Sequence, residues 1–322
     1  MVGTLAGLFF CFISIFVAGG FLAHLGDRIT ARSRLGHQLM GMVFLGAVTS
    51  LPELAAGVGA AGVAANADLA YGDVVGSCVF NLLILGVADL MSRQPVVAVS
   101  GRATILNAAS GVVLLSVAAF GPLAAGLGLP TSAWVLDLVL AAVYLLSLEG
   151  VRRVEAGEDH EEQVLQGGLP RLWLLFSLTA LLVIGPGLWL PVLAGNLALH
   201  LGISQSFVGT FLVGAFTSAP EAMVTYHCVR KGWSRMAVGN LLGSNLFNIL
   251  ILVPMSAVYP PGAFYQAAGR EHAVTALVGI TMTAVVISAG VWRRRQDTPP
   301  RLRLEGSVLI ALYLLAFYAL AP

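Results

Sequence analysis

Charge is what this chain has least of. Only 10% of its 322 residues are Asp, Glu, Lys or Arg, against 58% hydrophobic, and the mean hydropathy is +0.89. A soluble domain of this size could not cover its surface with polar atoms from so small a supply, which excludes the soluble globular class. Cysteine is nearly absent as well. Cys11, Cys78 and Cys228 are too few and too scattered for a disulfide framework or a thiolate metal site. The histidines form no paired metal spacing, and His227 stands off the helical face of Glu221. None of the buried-signature serines Ser50, Ser77, Ser218 and Ser244 has a histidine or lysine at a plausible helical spacing, so the nucleophile and base that an intramembrane enzyme needs are missing there. The chain is read as no enzyme, with no cofactor, no nucleic-acid partner and no obligatory protein partner.

What it has in excess is apolar sequence. Runs long enough to cross about 30 Å of hydrocarbon at about 1.5 Å per residue fall at 2–24, 37–64, 71–91, 101–121, 131–149, 171–194, 203–228, 235–258, 271–292 and 305–321. The first lacks a basic start and is too long to be the core of a cleaved signal. Ten spans are therefore predicted, five in each half.

The few charges are unevenly placed. With ten spans the loops alternate sides, and all of the 17 basic residues except Arg270 fall in odd-numbered loops. Arg28, Arg32 and Arg34 open the series, and Arg293, Arg294, Arg295, Arg301 and Arg303 close it. The positive-inside rule puts those loops in the cytoplasm and both termini outside, in a protein integral to the cell (inner) membrane. Five spans per half is an odd number, so the second half must cross the bilayer upside down relative to the first. The expected fold is an all-α membrane protein: ten transmembrane helices as two inverted five-helix repeats, with broken helices at the midplane. The first repeat covers 1–149 and the second 171–322. Between them, a short acidic cytoplasmic linker at 150–170 carries Glu155, Glu158, Asp159, Glu161 and Glu162.

Each repeat carries the same polar signature. Thr49-Ser50-Leu51-Pro52-Glu53 is matched by Thr217-Ser218-Ala219-Pro220-Glu221, with the two glutamates 168 residues apart. Gly76-Ser77-Cys78-Val79-Phe80-Asn81 is matched by Gly243-Ser244-Asn245-Leu246-Phe247-Asn248. Upstream, Gly41, Gly46 and Ala47 recur as Gly209, Gly214 and Ala215, so the motifs occupy 41–90 and 209–256. A carboxylate at the bilayer centre costs about 2.5–3.5 kcal/mol even on the lenient insertion scale. Two at equivalent places in a duplicated chain mark a binding site.

The chemistry available is that of hard oxygen. Proline inside a helix removes one N–H and pushes away the carbonyl four residues earlier, so Pro52 frees Val48 and Pro220 frees Phe216. In lipid, broken backbone survives only where it is buried or lines a cavity. Freed carbonyls, four hydroxyls and two carboxylates at flexible spacing suit calcium or sodium rather than zinc or copper. Ser77 and Asn81 share a helical face, as do Ser244 and Asn248. Gly72 with Gly76, and Gly239 with Gly243, let a neighbouring helix approach closely.

The duplicated T-S-x-P-E and G-S-x-x-F-N pairs resemble the two alpha-repeats of the sodium/calcium exchanger family, within the wider cation/calcium exchanger superfamily. The likeness covers residues 36–90 and 204–256 closely and the ten-helix layout loosely. It implies antiport by alternating access, Ca2+ against Na+, or against H+ in some branches, with inorganic cations and the lipid bilayer as the only partners. It implies Glu53 and Glu221 as central cation ligands. Thr49, Ser50, Thr217 and Ser218 would line the site, joined by Ser77, Asn81, Ser244 and Asn248, and the carbonyls of Ala47 and Ala215 would complete outer sodium positions. Three positions depart from the pattern. Asn248 stands where some members carry an aspartate, Cys78 stands where an asparagine is usual, and Asp73 replaces the asparagine seen at Asn240. Asp73 is read either as a cap near the start of its helix or as a carboxylate at the outer mouth of the site.

Overall fold

A computed structural model describes residues 2–30, 45–92, 96–97, 101–129, 132–155, 168–260, 263–293 and 304–321. Gly41, the arginines at 32, 34, 93, 294, 295, 301 and 303, and the linker residues Ala156, Glu158, Asp159, Glu161 and Glu162 lie outside the described residues. Those described form helices and their connections, with no strand among them.

The chain opens on α1 (Val2–Thr30). The first signature follows as α2 (Gly46–Thr49) and α3 (Leu51–Val58), with a π-helical turn at Gly59–Val63. Then come α4 (Ala67–Met91), α5 (Arg102–Gly126), α6 (Ala133–Glu155) and α7 (Leu169–Leu201). The second signature reads α8 (Gln205–Val208), a π-helical turn at Gly209–Val213, α9 (Gly214–Thr217) and α10 (Ala219–Arg230). The chain closes with α11 (Ser234–Leu250), α12 (Leu252–Val258), α13 (Phe264–Ala267), α14 (Glu271–Arg293) and α15 (Leu304–Leu320).

Each of the ten predicted intervals contains helix, but not each is an unbroken span. Among the described residues, seven helices are long and apolar enough to cross a membrane, or eight if the bent pair Gln205–Thr217 and Ala219–Arg230 counts as one. Leu51–Val63 and Leu304–Leu320 are apolar but shorter. The breaks have a local cause. They fall at Ser50 (φ −87, ψ 13) and Ser218 (φ −78, ψ 10), each two residues before a proline that has no N–H to continue the ladder. At the second break the helix axis turns by 47°.

Packing sorts the helices into a periphery and a centre. The long α1 and α7 lie against one another, and their outward faces are apolar: Phe9, Phe10, Leu181 and Leu182 are all exposed. An apolar surface of this kind is stable only against lipid. At the centre, α4 and α11 are the most enclosed, and they pack against one another and against both broken segments. Glycine permits the approach. A Cβ at Gly72 would stand 2.9 Å from Ser206 O, so the close contact anticipated for that glycine is made by the second broken segment.

The end of the molecule at which α4 and α14 begin is pinned by polar contacts. Asn66 caps α4 by accepting from the Leu69 N–H at 2.9 Å, and Asp68 accepts from the Gly269 N–H at 2.7 Å with His272 Nε2 at 3.2 Å. Ser206 donates to Glu271 at 2.5 Å. Acidic residues in a first helical turn complement the helix dipole.

Candidate cation site

Where the two broken helices meet α4 and α11, the residues of both signatures are brought together. Glu53 sits in the first turn of α3 and Glu221 in the first turn of α10, each directly after its proline break and each fully buried. Their hydrogen bonds are exchanged between the repeats. Ser218 Oγ donates to Glu53 Oε1 at 3.0 Å, and Ser50 Oγ donates to Glu221 Oε1 at 3.1 Å. Ser50 and Glu53 are three residues apart, a spacing that shares a face in an unbroken helix. The break at Ser50 instead turns its hydroxyl to the opposite repeat.

The second motifs are exchanged in the same way. Ser244 Oγ lies 3.2 Å from Thr49 Oγ1 and donates to Gly46 O at 3.5 Å. Ser77 Oγ lies 3.3 Å from Thr217 Oγ1 and donates to Gly214 O at 3.4 Å. All four hydroxyl residues are buried. The reason is again backbone proximity: a Cβ at Gly46 would stand 3.0 Å from Ser244 N, and one at Gly214 would stand 2.9 Å from Ser77 N. The carbonyls that meet these hydroxyls belong to Gly46 and Gly214, the residues just before Ala47 and Ala215; both alanines are half-buried.

Asn81 and Asn248 occupy equivalent positions but have different surroundings. Asn81 Nδ2 donates to Asn245 Oδ1 at 3.0 Å, and Asn245 Nδ2 in turn donates to Cys78 O at 3.1 Å. In the mirror position Cys78 stands where Asn245 does, and a thiol cannot take an amide's place as a strong acceptor. Asn248 accordingly has no hydrogen-bond partner for either side-chain atom among the described residues, though it is fully buried. The departure at Cys78 thus leaves the second repeat's asparagine amide unengaged.

The sequence leaves Asp73 as either a helix cap or a carboxylate at the outer mouth of the site. It does not cap its helix, since Asn66 holds that position, nor does it sit at a mouth open to solvent. Asp73 is fully buried within α4 and accepts from Thr217 Oγ1 at 3.1 Å. The signal was available: Asp73 precedes Ser77 by one helical turn, on its face. His227, by contrast, is exposed and away from the carboxylates.

Several buried oxygens on these segments are left without a partner. Glu53 Oε2, Glu221 Oε2, Asp73 Oδ2, Asn81 Oδ1 and Asn248 Oδ1 are buried and without a hydrogen-bond partner among the described residues. Buried charge that is neither paired nor hydrogen-bonded is strongly unfavourable. Oxygens in this number, with no nitrogen or sulfur ligand required, match the preference of calcium and of alkali cations.

Comparison with known proteins bears on the same residues. The family model described as "Sodium/calcium exchanger protein" matches residues 3–151 and 171–321, which include both signatures. The chain is 31% identical to "Inner membrane protein YrbG" of Escherichia coli over 299 residues, covering 88% of this chain and 87% of that protein. Over 117 residues, 35% of this chain, it is 31% identical to "Sodium/calcium exchanger MaX1" of Methanosarcina acetivorans. Among solved structures, the sodium-calcium exchanger NCX_Mj soaked with Na+ and Sr2+ superposes with a TM-score of 0.67 at 22% identity, covering 100% of both chains. That likeness is one of fold.

Proposed function

This chain belongs to the sodium/calcium exchanger family, and from that premise we propose that it is a secondary-active antiporter exchanging Ca2+ for Na+ across the membrane. The observation that carries the reading is the exchange of ligand partners between repeats. Each glutamate is held by a serine of the other repeat, so an ion bound between Glu53 and Glu221 ties the two halves together.

In this reading the chain spans the bilayer ten times as two inverted repeats, both termini lie outside, and the 150–170 linker is cytoplasmic. Glu53 and Glu221 neutralise one divalent cation or two monovalent ones. Thr49, Ser50, Thr217, Ser218, Ser77, Asn81, Ser244 and Asn248, with the carbonyls of Ala47 and Ala215, supply neutral oxygens in place of the ion's hydration shell. The carboxylates have no solvent exposure. Ions therefore enter only when one repeat moves against the other, and a closed cage that must open to one side at a time couples the two fluxes. Because the same oxygens serve both ions, Ca2+ and Na+ compete, and competition for one site under alternating access is exchange.

Sodium is preferred to protons as counter-ion because the hydroxyls and carbonyls around the glutamates are dispensable for proton carriage. The test is calcium-45 uptake into proteoliposomes of the purified protein, first under an imposed sodium gradient and then under a pH gradient. Uptake driven by an outward sodium gradient is the expected result. Uptake that follows the pH gradient and ignores sodium replaces this reading with an H+/Ca2+ antiporter using the same two glutamates.

A further inference from the structure

Asp68, Glu271 and His272 come together at the end of the molecule where α4 and α14 begin, and none of them belongs to the proposed transport site. One ligand atom from each, a carboxylate oxygen or an imidazole nitrogen, lies within 4.8 Å of the other two. His272 is fully buried; its Nε2 stands 3.2 Å from Asp68 Oδ1, and its Nδ1 has no hydrogen-bond partner among the described residues. Asp68 is about a third exposed, with a side-chain accessibility of 35%, so the buried imidazole is reached past a carboxylate that solvent touches.

An Asp–His hydrogen bond between two helix starts would account for Asp68 and His272. It leaves unexplained why a second carboxylate is brought to the same imidazole. Arg270, next in sequence to Glu271, donates instead to the Gly126 carbonyl, so its guanidinium is engaged elsewhere. Both carboxylates are oriented by bonds of their own: Asp68 Oδ1 accepts from the Gly269 N–H at 2.7 Å, and Glu271 Oε1 accepts from Ser206 Oγ at 2.5 Å. Such outer hydrogen bonds fix the direction of metal-binding carboxylates. A side chain at Gly269 would collide with the Glu271 carboxylate, so glycine there gives that carboxylate its room.

We propose that Asp68, Glu271 and His272 form a binding site for a transition-metal ion of the zinc class, separate from the transported cations. The geometry is close to what such an ion needs. Two ligands of a tetrahedral zinc stand about 3.4 Å apart, and Nε2 and Oδ1 are already at 3.2 Å. With its proton on Nδ1, the imidazole turns a lone pair toward the aspartate, and a metal ion between the two acceptors makes that contact favourable. Two carboxylates and a neutral imidazole balance one divalent charge. The nitrogen ligand selects zinc, cobalt or nickel over calcium, which prefers oxygen throughout. In the orientation proposed above, the ion enters from outside.

The inference is independent of the transport reading and is tested by binding. Tag-free protein in detergent is titrated calorimetrically with zinc chloride in saturating calcium, which keeps zinc from the Glu53–Glu221 pair. One zinc per chain is expected, with micromolar or tighter affinity. Asp68→Asn, Glu271→Gln and His272→Gln should each weaken it by more than about 100-fold, and Ser206→Ala, which removes only an orienting bond, by about 10-fold. Cobalt(II) chloride should give the strong visible absorption of a four-coordinate centre in the wild type, and His272→Gln should lose it. No zinc binding, with cobalt absorbing as the aqueous ion, overturns the site and leaves the Asp68–His272 contact a hydrogen bond only. Zinc bound equally well by the wild type and the three ligand variants lies elsewhere and overturns it too. If His272→Gln does not fold, the two carboxylate variants, both at partly exposed positions, decide in its place.

Discussion

Replacing Glu53 by glutamine alters one charge and very little else, which makes it the sharpest probe of the cage. The side chain is fully buried; one oxygen takes a 3.0 Å bond from Ser218 and the other has no partner among the described residues. An amide of the same shape can still accept from Ser218, so that bond passes from charge-assisted to neutral at a cost of about 1 kcal/mol. Loss of repulsion from Glu221 and Asp73 acts in the opposite direction. The ion-free protein should therefore fold and elute as the wild type does. Ion binding has no such offset. Removing one partner of a buried charge pair costs about 3–5 kcal/mol, which weakens calcium binding by roughly two to three and a half orders of magnitude. Isothermal titration of the purified protein with calcium, beside calcium-45 flux in proteoliposomes, reads both consequences, and Glu221→Gln should match. A folded Glu53→Gln protein whose calcium Kd stays within about threefold of the wild type would refute the placement of this carboxylate in the cage.

Three further outcomes are expected. Gly214→Ala should push its Cβ to within 2.9 Å of Ser77 N and separate α9 from α4, destabilising the protein by about 1–3 kcal/mol; an unchanged midpoint of thermal unfolding contradicts that. Cys78→Asn should give the Asn248 amide the partner that Asn245 gives Asn81, stabilising by about 1 kcal/mol, and a lowered unfolding midpoint would count against it. For the membrane orientation, a cysteine at Ala65 should react with an impermeant thiol reagent only from outside and one at Arg153 only from the cytoplasm, both positions being exposed; labelling of both from one side removes the inverted arrangement.

The class of molecule and the elements of its site are legible in the amino-acid order alone. Composition alone demands a lipid environment, because 58% hydrophobic residues against 10% charged ones cannot make a soluble surface. The prolines at 52 and 220 announce the helix breaks, since a residue without an N–H acts locally and needs no tertiary partner to do so. The buried placement of Glu53, Glu221 and the paired serines and threonines was legible from the duplication for the same reason: each is a polar residue at a matched place in apolar sequence.

What pairs with what was decided only by the tertiary structure. Nothing within the first signature indicates that Ser50 serves Glu221 while Ser218 serves Glu53; that exchange arises because each break turns its serine away from its own helix and toward the other repeat. Which of the ten predicted intervals run as one unbroken helix is a matter of tertiary geometry for a related reason. Hydropathy sums over a break as though the helix continued, whereas a turn of 47° at Ser218 and the short Leu304–Leu320 are features of geometry and length. Asp73 is the clearest case. Sequence position allowed either a cap or an outer carboxylate, and packing chose neither: with Asn66 already capping the helix, the close approach of the second broken segment to Gly72 and Gly76 buries Asp73 against Thr217. A contact between residues 144 positions apart is set by how two helices meet, and local sequence has no means of encoding it alone.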